Sequence, residues 1–320
     1  MARFLAWRLA QSLIVLALMS LAIYGLIGLM PGDPIDLALS ADPRLTPEDV
    51  ARLRALYGLD EPWLQRYFAW AGRAVQGEFG YSRLFAAPVL AALADPLGRT
   101  LLLMGGSFLV ALLVGLPAGM AAGARPHSRL DYAVNFVCFA GVAVPAFWLA
   151  LLVILLFAVT LQWFPASAVA LEPGLGPQLY HMALPVLTLG LLQAGGIARY
   201  MRAAMRDALA GDHIRTARAK GLGEAAVIWR HALRNALIPV VSILALDVGG
   251  LFSGALIVEM TFGYPGMGKL LFDAVMGNDY NLALVALLFG TAVTLAANLV
   301  ADLAYAVIDP RVTFGGLEAA

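Results

Sequence analysis

The sequence predicts an all-α integral membrane protein with six spanning helices, and three observations carry that prediction. Of its 320 residues, 61% are hydrophobic and only 13% are charged, against about 25% charged in ordinary soluble domains. Apolar runs of the length a bilayer demands, roughly 20 residues at 1.5 Å rise each, recur along the chain. Positive charge gathers in alternate connections between those runs.

The first run, Leu9–Met30, carries no charge. Its length of about 22 residues exceeds the 7–15 of a secretory signal's apolar region. It is therefore read as a retained span, although ALSA at 38–41 offers small residues for cleavage. Residues 31–96 form a long connection that looks folded. In TPEDVARLRALYGLDEPWLQRYFAW, Thr46 is placed to cap a helix, with Pro47 first inside it and Glu48 and Asp49 in its first turn. Val50, Leu53, Leu56 and Tyr57 then share a face. Asp60 is placed to cap a second helix, striped by Leu64, Tyr67, Phe68 and Ala71. Two short amphipathic helices follow from this pattern, lying on the outer membrane surface or packed on the spans.

Thr100–Ala124, Tyr132–Leu171, Gln178–Ala198 and Leu282–Ala301 are uncharged, and Ala236–Val258 carries only Asp247. Pro117, Pro145 and Pro185 sit within these runs and are expected to kink them. Gly115-x-x-x-Gly119 and Gly250-x-x-x-Gly254 have the spacing that lets helix backbones approach closely in lipid. The second pair, in LDVGGLFSGALIVE, is the better candidate for a tight, gating helix interface. A lone acid near the bilayer centre costs about 2.5–3.5 kcal/mol on insertion scales. Asp247 is therefore expected to face either a wet pathway or a polar partner on another subunit.

Orientation follows from the charge. Arg3 and Arg8 precede the first span, Arg125 and Arg129 follow the second, and eight Lys/Arg stand against three Asp/Glu between Arg199 and Arg234. The alternate connections are acidic or nearly uncharged: Trp163–Gln178 has only Glu172, and Glu259–Asn281 has three acids against Lys269. Positive-inside bias places both termini and the basic segments in the cytoplasm. A formal net charge of zero gives no reason to expect a nucleic-acid partner.

Several chemistries are absent. GYPGMGKL, Gly263 to Leu270, matches seven positions of the phosphate loop G-x-x-x-x-G-K-[ST], but Leu270 lacks the hydroxyl for magnesium and the topology sets it outside. His127, His181, His213 and His231 are scattered, and neither H-E-x-x-H nor G-x-S-x-G occurs. Cys138 is the single cysteine, which excludes an intrachain disulfide and is too little for a cysteine-built metal site. No catalytic, cofactor or metal residue is assigned.

The basic segment at 199–235 is the informative one. In DHIRTARAKGLGEAAVIWRHALRNALIP, Asp212 is placed to cap a short helix, His213 to Lys220, closed by Gly221 at C′. Ala217, Ala219 and Gly221 are small, whereas Arg215, Arg218 and Lys220 are long and charged. After Gly223, the positions Ala225, Ile228, Trp229, Ala232, Leu233, Ala236 and Leu237 make one apolar stripe of a second helix. That helix is expected to lie along the membrane until Pro239 lets the chain turn into the fifth span. Physics alone leaves two readings: a docking element whose small residues enter a groove on a partner, or a plain juxtamembrane anchor.

The same residues carry a resemblance. The loop DHIRTARAKGL…VIWRHALRNALIPV closely resembles the cytoplasmic loop of permease subunits of bacterial ATP-binding-cassette importers, in the dipeptide/oligopeptide/nickel branch. The likeness extends through PGDP at 31–34, YGLDEPW at 57–63, GEFGYS at 77–82, VEMTFGYPGMG at 258–268 and DLAYAVIDPR at 302–311. Arg215-Thr216-Ala217 stands where the wider superfamily has E-A-A, which looks like the peptide-branch form.

The resemblance implies the permease fold of type I importers, with the first span and external segment at 1–95, the transmembrane core at 96–309 and a cytoplasmic tail at 310–320. It implies that Asp212, Arg215, Thr216, Ala217, Ala219, Lys220 and Gly221 dock on an ATPase, so that this chain would bind no ATP or Mg²⁺ itself. The implied partners are a second, similar permease, two cytoplasmic ATP-binding subunits and an external substrate-binding protein, all at the bacterial inner membrane. Di- or oligopeptides are the expected cargo, with nickel, glutathione or another small solute as alternatives. An ion-driven transporter and a membrane-embedded enzyme are the rivals. One intramembrane acid, no visible internal repeat and no catalytic constellation weigh against them.

Overall fold

The structure, a computed structural model, describes residues 2–29, 46, 48, 61–170 and 172–308. It is almost wholly helical and divides into two compact units: Leu5–Leu97 with Leu270–Ala292, and Gly98–Lys269 with the chain ends.

The first unit begins with α1, Ala2–Ile27, followed by α2, Trp63–Val75. α2 is the second of the predicted outer helices. The first falls at 46–57, outside the described residues apart from Thr46 and Glu48, and Asp60 lies outside them too. Within this unit α2 packs on α1, the second of the two placements the sequence left open. Tyr67 and Trp70 are its buried side chains. The Tyr67 hydroxyl shares a hydrogen bond of 2.8 Å with Ser20 Oγ, and Tyr24 meets the rings of Tyr67 and Trp70 at 5.5 and 5.9 Å. The buried face includes Trp70, which the sequence stripe omits, whereas Leu64 and Phe68 are exposed.

A two-residue hairpin, β1 Tyr81–Ser82 and β2 Ala87–Pro88, pairs antiparallel and leads into α3, Val89–Ala124. The buried carboxylate of Asp279 anchors this hairpin. It accepts from Ser82 Oγ at 2.7 Å and the Leu84 N–H at 2.9 Å, and from the Leu282 N–H at 3.2 Å. The carboxylate thus joins the hairpin to the start of the last long helix.

The second unit holds α4, Arg129–Ala143, α5, Ala146–Val153, a π-helical continuation Ile154–Thr160, and α6, Leu175–Ala210. A short α7, Asp212–Ala219, follows. One α-turn, Glu224–Ala226, and a π-helical turn, Val227–Ala232, then run into α8, Leu233–Phe262. α9, Met267–Met276, and α10, Tyr280–Ile308, complete the described residues.

Among the described residues four helices are long and apolar enough to cross a membrane: α1, α3, α6 and α10. The pair α4 and α5 with its π continuation makes a fifth candidate if it is one span, bent by 109°. The bend falls inside Tyr132–Leu171, which the sequence presents as one uncharged run. Val144 is extended at φ −81°, ψ 124°, and Pro145 caps α5, because a proline ring pushes the residue before it out of the helical region. Pro117, Pro185 and Pro239, by contrast, lie inside unbroken helices. The predicted turn at Pro239 is therefore absent: the chain is helical from Val227 through Phe262.

Candidate functional site

The basic segment forms a compact helical elbow. α7 starts one residue earlier than the sequence suggests. Gly211 is its N-cap, extended at φ −72°, ψ 153°, and Asp212 is the first helical residue with no side-chain cap bond. An acid there still favours the positive end of the helix dipole, and its carboxylate lies 3.5 Å from Arg215 with both groups exposed. At the other end Gly221 adopts the left-handed conformation, φ +78°, as predicted. Its N–H donates to the Arg218 carbonyl at 2.9 Å, and the Leu222 N–H to the Ala217 carbonyl at 3.4 Å. These are the two bonds of a Schellman closure, which stops the helix and reverses the chain.

Two side chains fix α7 to the rest of the unit. Ile214 is 0% exposed and Ala217 4% exposed, in a core with Ile197, Met201 and Met205 of α6 and Val227, Ala232 and Ala236 beyond the elbow. Arg218 clamps the far side of the turn. Its Nε and Nη2 donate to Glu224 Oε1 and Oε2 at 2.8 and 3.1 Å, which holds the Glu224 carboxyl below its ordinary range. Asp212, Arg215, Thr216, Ala219, Lys220 and Gly221 are left on the outside. Ala217, grouped with them by the sequence, points inward, because a helix anchored at Ile214 buries the position three residues on.

The second helix of the elbow also differs from its sequence pattern. A π-turn has one residue more than an α-turn, so it rotates every side chain after it. Val227 is buried while Trp229, placed in the stripe, is 62% exposed. Ala232 at the end of the π-turn and Ala236 beyond it are inside, as the stripe predicts.

Beneath the elbow, α6 is gripped by α3. A Cβ on Gly115, Gly119 or Gly123 would come within 3.0 Å of α6, against the carbonyls of Ala194, Ala198 and Arg202 respectively. The three glycines recur every four residues and so line one face, which lets the backbones touch. Sequence spacing picks out Gly115 and Gly119 but favours Gly250 and Gly254 over them. Those two and Asp247 lie in α8, with their side-chain surroundings outside the described residues.

Two buried acids of this unit are not singled out by the sequence. Asp131, 1% exposed, accepts from Arg202 Nη2 at 2.9 Å, Asn135 Nδ2 at 2.9 Å and the His127 N–H at 3.0 Å, and it also pairs with Arg202 Nε. Its own N–H donates to Ser128 Oγ, which caps α4. A signal is present: Ser-x-x-Asp is a helix-start pattern. Glu259, 0% exposed, accepts from Thr100 Oγ1 at 2.5 Å, the Gly268 N–H at 2.7 Å and the Lys269 N–H at 3.3 Å. The Met267 N–H in turn donates to Thr100 Oγ1 at 2.8 Å. The GYPGMGKL segment that imitates a phosphate loop thus aims the Gly268 and Lys269 amides at a carboxylate of its own chain.

Known proteins resemble this chain along most of its length. Residues 115–314 match the family described as binding-protein-dependent transport system inner membrane component, and residues 1–102 match the N-terminal part of such membrane components. The oligopeptide transport system permease protein AppB of Bacillus subtilis is 36% identical over 98% of this chain and 100% of its own length. A Brucella suis protein provisionally named a peptide permease is 40% identical, over 98% of this chain and 99% of that one. The di/tripeptide transport system permease protein DppB of Pseudomonas aeruginosa is 35% identical, over 98% and 99%. Among solved structures, an amino acid ABC transporter crystallised with histidines aligns at a TM-score of 0.51 and 15% identity, over 66% of this chain and 91% of that one. That structure shares the fold.

Proposed function

The chain belongs to the family of binding-protein-dependent transport system inner membrane components, and on that footing we propose that it imports di- and oligopeptides as the passive, membrane-embedded half of an ATP-driven transporter. It is a multi-pass protein of the inner membrane. In this reading six helices cross the bilayer with both termini inside, α8 and the α4–α5 pair completing the four unbroken spans. The first span and external segment occupy 1–95, the core 96–309 and a tail 310–320. ATP and Mg²⁺ are held by two separate ATPase subunits, a second permease completes the pathway, and an external binding protein delivers peptide.

One observation carries the mechanical part: α7 is rooted in the core by Ile214 and Ala217 while its other face is exposed. Asp212, Arg215, Thr216, Ala219, Lys220 and Gly221 on that exposed face seat in a cleft of an ATPase. The Schellman closure keeps the knob short. Closure of the ATPases on ATP pushes the knob, and because its root is packed on α6 the push reaches the spans. Gly250, Gly254 and Asp247 keep their proposed roles in helix packing and in the pathway.

The test is reconstitution with the candidate ATPases and permease partner. Labelled tripeptide accumulates in proteoliposomes only with ATP, the second permease and the binding protein. Uptake by this chain alone on an ion gradient refutes the reading.

A further inference from the structure

Asp131 does more than cap its own helix. Its two carboxylate oxygens accept from three places in the chain: Arg202 on α6, Asn135 one turn into α4, and the His127 amide in the turn after α3. His127 is held at φ +62°, a left-handed conformation uncommon for non-glycine residues. Arg202 meets both oxygens with its Nε and Nη2, the two-pronged geometry that fixes orientation as well as distance. Asp131 is 1% exposed, so water cannot readily replace a partner that leaves.

The placement matters because of what Arg202 belongs to. On the same helix, the Arg202 carbonyl and Met205 Cβ are the atoms a Cβ on Gly123 of α3 would meet. Met201 and Met205 pack with Ile214 and Ala217 of α7. α7 is therefore attached to α6, and α3 is pressed on α6 at the same level. α4 meets α6 further along, where a Cβ on Gly195 would come 3.3 Å from the Cys138 carbonyl and Arg199 lies over the Phe139 ring, and the Asp131–Arg202 ion pair ties its first turn to that body.

We infer that the Asp131–Arg202 pair is a positioning lock that makes α4 move with α7 when the ATPases drive the elbow, so that the push is delivered to the α4–α5 pair as well as to α6. The inference rests on the import reading. Arg202 contacts no ATPase and no peptide in it; it acts by holding Asp131. Without the lock, α6 and α7 still move, while α4 lags.

The experiment uses the assembled transporter in nanodiscs. Spin labels replace Phe136 on the exposed side of α4 and His213 on α7, in a Cys138→Ala background. Distances are read by pulsed electron resonance, nucleotide-free and with ATP trapped. The parent gives one narrow distance, equal in both states. Asp131→Asn broadens it or makes it change with nucleotide. Arg202→Lys keeps the charge but loses the parallel bonds, and gives an intermediate width. In proteoliposomes, tripeptide moved per ATP falls by about 2- to 30-fold in Asp131→Asn, the range in which residues along a coupling path act, while ATP turnover persists. A purely structural pair would lower both together.

A parent distance that itself changes between states overturns the lock, as does a variant matching the parent in width and in transport per ATP. If Asp131→Asn fails to insert, Arg202→Lys decides by the same two measurements. If the parent recruits no ATPase, the import reading falls. The lock is then judged on the isolated chain, where Asp131→Asn must still broaden the distance.

Discussion

Replacing Gly221 by alanine tests whether the shape of the knob, rather than its charge, is what a partner recognises. A Cβ at Gly221 would find no heavy atom within 4 Å, so no clash enters. The cost is conformational alone. At φ +78° an L-residue is disfavoured by about 1–2 kcal/mol. By the relation that 1.4 kcal/mol is tenfold, that shifts the closed elbow against open forms by roughly 5- to 30-fold. Affinity for the ATPase falls by up to that factor, since only the closed form fits. Gly221→Asn is milder, because asparagine tolerates the left-handed region. Gly223→Ala is the control: at φ −65° with nothing within 4 Å it is unstrained, and the effect stays within about ±0.5 kcal/mol. Binding is measured by titrating ATPase against the full chain in nanodiscs, with insertion checked by membrane fractionation. Gly221→Asp carries a backbone cost as mild as asparagine's but adds a negative charge to the knob, and should abolish uptake while the protein remains inserted. Equal affinity of the Gly221→Ala, Gly223→Ala and parent proteins would refute the reasoning, as would Asn binding worse than Ala.

Ala217 and Ala219 separate core from surface two residues apart. Ala217→Glu buries a carboxylate among Ile214, Met201 and Met205 and should lower thermal stability in detergent by several kcal/mol. Ala219→Glu should leave melting unchanged while weakening ATPase binding. Gly119→Ala forces α3 from α6, because its Cβ would come within 3.0 Å of backbone and Met201. Overpacking of that kind costs about 1–3 kcal/mol, whereas Gly105→Ala, with nothing within 4 Å, should be neutral or slightly stabilising in the same melting assay. Glu224 carries a pH signature. Its folded carboxyl lies below the unperturbed 4.5 because Arg218 binds the charged form. The turn is therefore fully supported above that ordinary value and loses support as pH falls through the lower folded one. Amide exchange at Gly221 and Leu222, corrected for its intrinsic pH dependence, should speed up across that acid range in the parent and not in Arg218→Gln.

Much of the fold was legible because lipid constrains sequence so strongly. Uncharged runs of span length located α1, α3, α6 and α10 in outline, and glycine at 221 announced a left-handed helix end, since few other residues take that conformation without strain. The family resemblance in the basic loop was legible for the same local reason: a short helix, its closure and its neighbours are specified within some twenty residues. The boundaries were less secure. Gly211 took the cap from Asp212 because capping depends on where the preceding helix α6 stops, which is a tertiary matter.

What the sequence alone determined, then, is the set of elements: apolar helices and a basic elbow. Tertiary structure decided which face of each element looks inward. It turned Ala217 into the core, left Trp229 exposed within a π-turn, pressed α3 on α6 at Gly115, Gly119 and Gly123, and brought Asp131 to Arg202, 71 residues away. Periodicity fixes a face only relative to its own helix axis, whereas the partner across an interface is set by where two distant stretches of chain can both be packed.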